Sequence, residues 1–173
     1  MPLDIQDVAA AATRSIQQLD TVALNIAHSN TAAYKAIHLS YALQADPLSG
    51  DGEPGVQYVP YQRTDFSPGP IQRTGGALDA AIEGEGFFEI ETGEGPAYIR
   101  KGSFRLDKDK QLVTPSGEKV LGESGPITID GKRFEILEDG TLSVDGTKAG
   151  KLKVVAFDRP QDLQKRGDQR YVD

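Results

Sequence analysis

The stretch Phe134-Glu135-Ile136-Leu137-Glu138-Asp139-Gly140-Thr141-Leu142-Ser143-Val144-Asp145-Gly146 decides the fold class. Apolar and polar residues alternate in Phe134-Glu135-Ile136 and again in Thr141-Leu142-Ser143-Val144, the period of a half-buried strand. Asp139-Gly140 and Asp145-Gly146 close tight turns, because glycine takes a positive φ without strain. Strands joined by such turns run antiparallel. The same grammar extends outward on both sides, with Asp130-Gly131 as a further turn. Upstream lie Ala80-Ala81-Ile82, Phe88-Glu89-Ile90, Tyr98-Ile99-Arg100, Phe104-Arg105-Leu106, Leu112-Val113-Thr114 and Ile127-Thr128-Ile129; downstream lies Leu152-Lys153-Val154-Val155. No helical period of useful length intervenes, which argues against a parallel β-α-β sheet. Alternation predicts Phe88, Ile90, Phe104, Leu106, Leu142 and Val144 among the core residues.

The beginning of the chain is written differently. All 19 glycines lie at Gly50 or later, whereas residues 1–49 hold eleven alanines, both histidines and both asparagines. Here Ile5, Val8, Ala12, Ile16, Leu19, Ala23 and Ile26 recur at spacings of three and four, one apolar stripe along a helix from about Leu3 to His28. Pro2 suits a first turn, and Asp4 and Asp7 suit its positive end. Ser29-Asn30-Thr31 predicts the stop, since Asn tolerates the left-handed conformation that terminates helices. The stripe is narrow and Ala-rich, a face for packing against another helix rather than for anchoring in a broad core. We therefore expect the helix to be exposed or packed on another chain. The organisation predicted is an N-terminal assembly helix with its end motif (1–34), an extended connector with a possible edge strand at Val56–Tyr61 (35–65), and a β-rich domain (66–173).

Composition narrows the chemistry. Lys and Arg total 19 against 26 Asp and Glu, a net charge of −7 that repels phosphate and argues against nucleic-acid binding or docking on an anionic membrane. There is no cysteine, which removes disulfides, Cys-ligated zinc and thiol nucleophiles. His28 and His38 lack ligand spacing for one helix face. No apolar run approaches the ~18 residues that span a bilayer, and the N-terminus lacks the pattern of a cleaved signal peptide. Gly84-Glu85-Gly86 is flanked by acids and followed by no helix, so it reads as a turn rather than a phosphate loop. The carboxylate pairs Asp79/Glu83, Glu89/Glu91, Asp107/Asp109 and Glu138/Asp139 mostly flank turns and read as solvated loop charge rather than as a hydrolase pair. Asp107-Lys108-Asp109-Lys110 lacks the glycine and the final Glu of a calcium loop. No catalytic, cofactor or metal site is expected.

The segment Leu19-Asp20-Thr21-Val22-Ala23-Leu24-Asn25-Ile26-Ala27-His28-Ser29-Asn30-Thr31-Ala32-Ala33-Tyr34-Lys35 is at minimum a helix end and a polar turn. It also resembles the signature that closes the first helix of the bacterial flagellar rod and hook proteins, L-D-x-x-A-N-N-I-A-N-x-N-T-x-G-[FY]-K. The motif residues Asn25, Asn30, Thr31, Tyr34 and Lys35 match, as do Leu19, Asp20, Ala23, Ile26 and Ala27. Leu24 and His28 stand where that family usually has Asn, and Ala33 where it usually has Gly, departures expected to weaken the turn. Further blocks resemble the family in order: Asp65–Gly75, Leu78–Phe88, Tyr98–Asp107, Leu112–Thr114 with Gly117, Leu121 and Gly122, Glu138–Val144, and Gly150–Leu152 with Phe157. Lys110 replaces a usual turn glycine, which predicts a wider or less regular hairpin there.

The resemblance implies a structural subunit of the flagellar basal-body rod, self-assembling into a helical axial polymer. Its implied partners are copies of itself, other flagellar axial proteins and the flagellar export apparatus, with no cofactor, no nucleic acid and no membrane insertion. Export without a cleaved signal into the periplasm-spanning rod is implied too. A short β region favours a rod over a hook protein. The family's second helix, which pairs with the first, would begin about where Tyr171-Val172-Asp173 stands, so the resemblance leaves two expectations: a longer chain that carries it, or a short member that takes a partner helix from elsewhere. The competing expectation is a non-polymerising accessory protein that uses the helix to hold a partner.

Overall fold

Alternating sequence does make antiparallel sheet here, and it does so more extensively than expected. The computed structural model describes residues 5–46, 55–167 and 169–173. The fold is mainly β with one N-terminal α-helix, and the chain divides into two compact units, the first ending at Ser67 and the second beginning at Pro68. The expectations for Pro2, Leu3 and Asp4 fall outside the described residues.

The first unit contains α1 (Ile5–Ala27), β1 (Ile37–Asp46) and β2 (Gly55–Thr64). The segment expected to be an extended connector is thus a hairpin of two ten-residue strands, in register from Ile37↔Thr64 to Asp46↔Gly55. The physical reason is legible in Ile37-His38-Leu39-Ser40-Tyr41-Ala42-Leu43, which alternates apolar and smaller or polar residues. Pro60 sits inside β2 opposite Tyr41. A two-stranded ribbon leaves part of each strand's N–H groups facing outward, and a proline is tolerated there.

The second unit is built on β3 (Phe87–Thr92) and β4 (Gly95–Ile99), followed by β5 (Arg105–Leu106), β6 (Leu112–Val113), β7 (Lys119–Gly122), β8 (Gly125–Pro126), β9 (Phe134–Ile136), β10 (Thr141–Val144), β11 (Thr147–Lys151), β12 (Val154–Val155), β13 (Gln164–Arg166) and β14 (Arg170–Val172). A larger sheet runs β13-β14-β4-β3-β7-β6-β5, with β12 added to β3 and β8 to β7; a smaller one runs β11-β10-β9. Two expected strands are not strands. Ala80–Ile82 follows a single bridge at Asp79↔Ser103, and Ile127–Ile129 holds one bridge, Gln111↔Thr128. Ile127 and Ile129 are nonetheless buried, their backbones bonded to Leu112 and Lys110.

One turn geometry recurs. At Asp107–Gln111, Thr114–Glu118 and Leu137–Thr141 the first residue's N–H bonds the fifth residue's carbonyl, and the fourth residue's N–H bonds the first's carbonyl. The fourth residue takes a positive φ: 61° at Lys110, 99° at Gly117 and 80° at Gly140. This is the three-residue loop in which a left-handed residue follows a type I turn. Lys110 therefore keeps the regular hairpin instead of widening it, at a steric cost glycine would not incur. Asp107 Oδ1 secures the loop by accepting from Asp109 N at 2.9 Å and Gln111 N at 2.8 Å.

The core gathers Phe88, Ile90, Ala97, Ile99, Phe104, Leu112, Val120, Ile127, Ile129, Leu142, Val144 and Leu152, with Leu106 partly buried against it. Strict alternation fails at the head of β3, where Phe87, Phe88, Glu89 and Ile90 are all buried. Its second face is covered by aromatics: the Phe87 ring meets Phe157 at 5.8 Å and Tyr171 at 5.6 Å, both edge-on. Glu89 on that face is paired by Lys153 Nζ at 2.8 Å, which holds the ammonium above its usual pKa. Burial raises the neighbouring Tyr98 phenol, with the Glu89 charge adding to it.

Candidate assembly surface

A 23-residue helix beside a two-stranded ribbon should bury its apolar stripe on that ribbon. This one does the opposite. All seven stripe positions, Ile5, Val8, Ala12, Ile16, Leu19, Ala23 and Ile26, are exposed, with Ile5 at 85%, Leu19 at 68% and Ile26 at 67%. The partly buried positions are Arg14, Gln17, Thr21, Asn25 and His28, which also recur at three and four and lie on the opposite side of the helix. Val22, exposed at 53%, adds apolar surface beside the stripe.

The polar seam is a set of specific contacts with the hairpin. Tyr41 presents its hydroxyl 3.2 Å from Arg14 O and 3.4 Å from Gln17 Oε1, able to donate to either. The Arg14 guanidinium lies 5.0 Å from the centre of the Tyr58 ring, a cation–π contact. At the helix end Asn25 Nδ2 donates to Ile37 O at 2.8 Å and Asn25 Oδ1 accepts from Ile37 N at 3.0 Å. The Asn25 carboxamide thus satisfies the first residue of β1 as a neighbouring strand would. An open cleft of about 420 Å³ remains along the seam, lined by Gln17, Asp20, Thr21, Leu39, Pro60 and Gln62.

The motif residues are mostly brought together. Tyr34 OH donates to Asn25 Oδ1 at 3.0 Å, and the Tyr34 ring stacks on His28 at 4.7 Å and 15°. His28 Nδ1 lies 3.2 Å from Thr31 Oγ1. Lys35 is buried with its ammonium on Ser67 O at 2.7 Å. Asn30 is exposed and joins none of these contacts. It is also not the left-handed residue: α1 stops at Ala27, and Ala33 carries φ 58°. At two of the departures the His28 ring supplies a stacking surface for Tyr34, and Ala33 adopts the positive-φ conformation that glycine takes without strain. Sequence reading missed Arg14, Gln17, Tyr41 and Tyr58; the signal was a second three-and-four spacing, made of polar residues.

Asn25→Ala is expected to leave buried Ile37 N and O without these partners, weakening the helix–hairpin unit by about 2 kcal/mol. The measurement is amide exchange along β1, which should accelerate while Ile90 in the second unit keeps its protection.

Residues 81–144 match the family described as the flagellar hook protein FlgE/F/G D1 domain. The flagellar basal-body rod protein FlgF of Caulobacter vibrioides is 36% identical over 165 residues, covering 90% of this chain and 66% of the relative. FlgG of Bacillus subtilis is 31% identical over 176 residues, covering 89% of this chain and 67% of the relative. FlgF of Escherichia coli is 34% identical over 137 residues, covering 77% and 53%. The chain belongs to the flagellar basal-body rod protein family. It spans about two thirds or less of the length of these rod proteins. Residues 81–144 of this rod-family chain run through β3 to β10, the region that supplies most of the core. A match over 90% of the chain must also take in much of the helix–hairpin unit.

Three of the carboxylates weighed as acid–base pairs, Asp79, Asp107 and Asp139, act as loop or turn acceptors. Asp139 accepts from Thr141 N at 3.0 Å and Thr141 Oγ1 at 2.8 Å, bonds that hold its pKa below the usual carboxylate value. Asp79 accepts from Thr74 Oγ1 at 2.6 Å. Among the described residues no three His, Asp or Glu side chains gather as a metal site, and no helix is long and apolar enough to cross a membrane.

Proposed function

We propose that this chain is a structural subunit of the bacterial flagellar rod, joined to copies of itself and to other axial proteins through the apolar stripe of α1. The observation that carries this reading is the orientation of the helix. It spends its polar side on its own hairpin and leaves Ile5, Val8, Ala12, Ile16, Leu19, Ala23 and Ile26 to solvent. Exposed apolar area of this kind is unfavourable in a monomer and favourable in a helix–helix seam. The relatives' names, all rod proteins, support the same reading over an accessory protein that never polymerises. In this reading the protein travels through the flagellar export apparatus, resides in the basal body and performs no catalytic step.

The chain has no cysteine, so one introduced thiol reports its own neighbourhood. Leu19→Cys is expected to give disulfide-linked dimers on mild oxidation, at concentrations where Glu138→Cys, on an exposed turn of the second unit, gives few. Equal crosslinking at the two positions would remove the stripe from its assigned role.

A further inference from the structure

The chain leaves the first unit at Ser67, and residues 65–67 are each held by hydrogen bonds. Lys35 is buried, and its ammonium donates to Ser67 O at 2.7 Å and reaches Phe66 O at 3.5 Å. A buried ammonium is costly unless its donors are satisfied, so two carbonyls converging on it fix both ends of the contact. Asp65 N donates to Ala36 O at 2.8 Å, tying the strand exit to the residue beside Lys35. Asp65 Oδ1 accepts from Ser67 N at 2.9 Å, a side-chain turn that points the Phe66 and Ser67 peptides. The same bond keeps the Asp65 carboxyl below its usual pKa. His38 Nε2 lies 3.7 Å from Asp65 Oδ2 on the solvent side.

The next residues are held differently. Positions 68–73, beginning Pro68-Gly69-Pro70, are exposed and make no hydrogen bond among the described residues. Anchoring resumes where Thr74 Oγ1 bonds Asp79 Oδ2 and accepts from Gly76 N. Ser67 is further confined to extended backbone by the proline that follows it.

We propose that Lys35 and Asp65 form a clamp that welds residues 65–67 to the base of the hairpin, so that backbone order persists through Ser67 and falls within residues 68–73. Lys35 is then a positioning residue: it sets the direction in which the chain leaves the hairpin. The clamp lies wholly in the first unit and does not depend on the assembly reading.

The test is backbone relaxation and amide exchange by NMR on the intact chain. In the wild type, Asp65 and Ser67 should show order parameters like those of β1 and β2, about 0.85, with a step down at Gly69 and Ile71–Arg73. Lys35→Met should raise amide exchange at Asp65 and Ser67 about tenfold, with Ile90 and Leu142 unchanged, and Lys35→Arg should restore much of the protection. Order that decays before Asp65, or continues undiminished through residue 73, overturns the proposal, as does unchanged exchange in Lys35→Met. Should Lys35→Met unfold the hairpin, the wild-type profile decides: a step after Ser67 supports the clamp and its absence refutes it.

Discussion

Ile16→Glu combined with Leu19→Lys is expected to abolish self-association while the second unit melts as before. Both side chains point to solvent, at 58% and 68% exposure, so the free chain loses little packing. Placed three residues apart, the opposite charges can even pair along the helix. A seam with another helix is a different environment. There each charge must shed water against an apolar partner, at a cost of several kcal/mol when unpaired. Two such groups should weaken association by at least ~100-fold, since each 1.4 kcal/mol is a factor of ten. Sedimentation velocity at matched concentrations measures the loss, and circular dichroism checks that α1 survives. Oligomers that persist in the variant would place the contact in the hairpin or the second unit.

The helix was legible because its apolar spacing is regular, and so was the exposure of its stripe. The partner of its other side was not. Arg14, Gln17, Thr21 and Asn25 lie opposite the apolar stripe, where polar residues usually meet water. Their use against Tyr41, Tyr58 and Ile37 is a tertiary choice that no local pattern encodes. The hairpin itself was under-read because Pro60 demotes a strand, although a two-stranded ribbon accommodates a proline.

In the second unit the Asp-Gly turns and short alternations placed β3, the end of β4, β5, β6, β9, β10 and β12. Other strands carry no such signal. Gln164-Lys165-Arg166 has no apolar residue, and its pairing with β14 is set by the backbone. Thr147–Lys151 is mostly exposed and becomes a strand because Asp145-Gly146 folds it back on β10. Conversely, Ile127-Thr128-Ile129 alternates like a strand yet pairs at only one bridge, because its bonds go to the β5–β6 turn and β6. Alternation reports which side chains are buried more faithfully than it reports ladder pairing. The turn at Lys110 teaches the same lesson about backbone: Asp107 supplies bonds that hold a left-handed lysine where sequence asks for glycine.

Phe88→Ala is expected to destabilise the second unit by about 4 kcal/mol, and Phe104→Ala by about 3 kcal/mol. Phe88 is 2% exposed and belongs to the central strand, so its removal leaves a cavity among groups tied into two neighbouring ladders. Phe104 is 7% exposed and sits on a short piece beside β5, where the surroundings can collapse further. Their rings meet edge-on at 5.3 Å and 81°, a geometry worth about 1 kcal/mol beyond the area it buries. The double variant should therefore cost less than the sum by roughly that amount. Urea unfolding of the four chains measures all three quantities, provided the two units are followed by separate probes. A Phe104→Ala midpoint equal to the wild type would mean that the inner face of that segment is misassigned. A coupling near zero, with both single losses intact, would mean instead that the two rings stabilise the core independently and that their contact adds nothing.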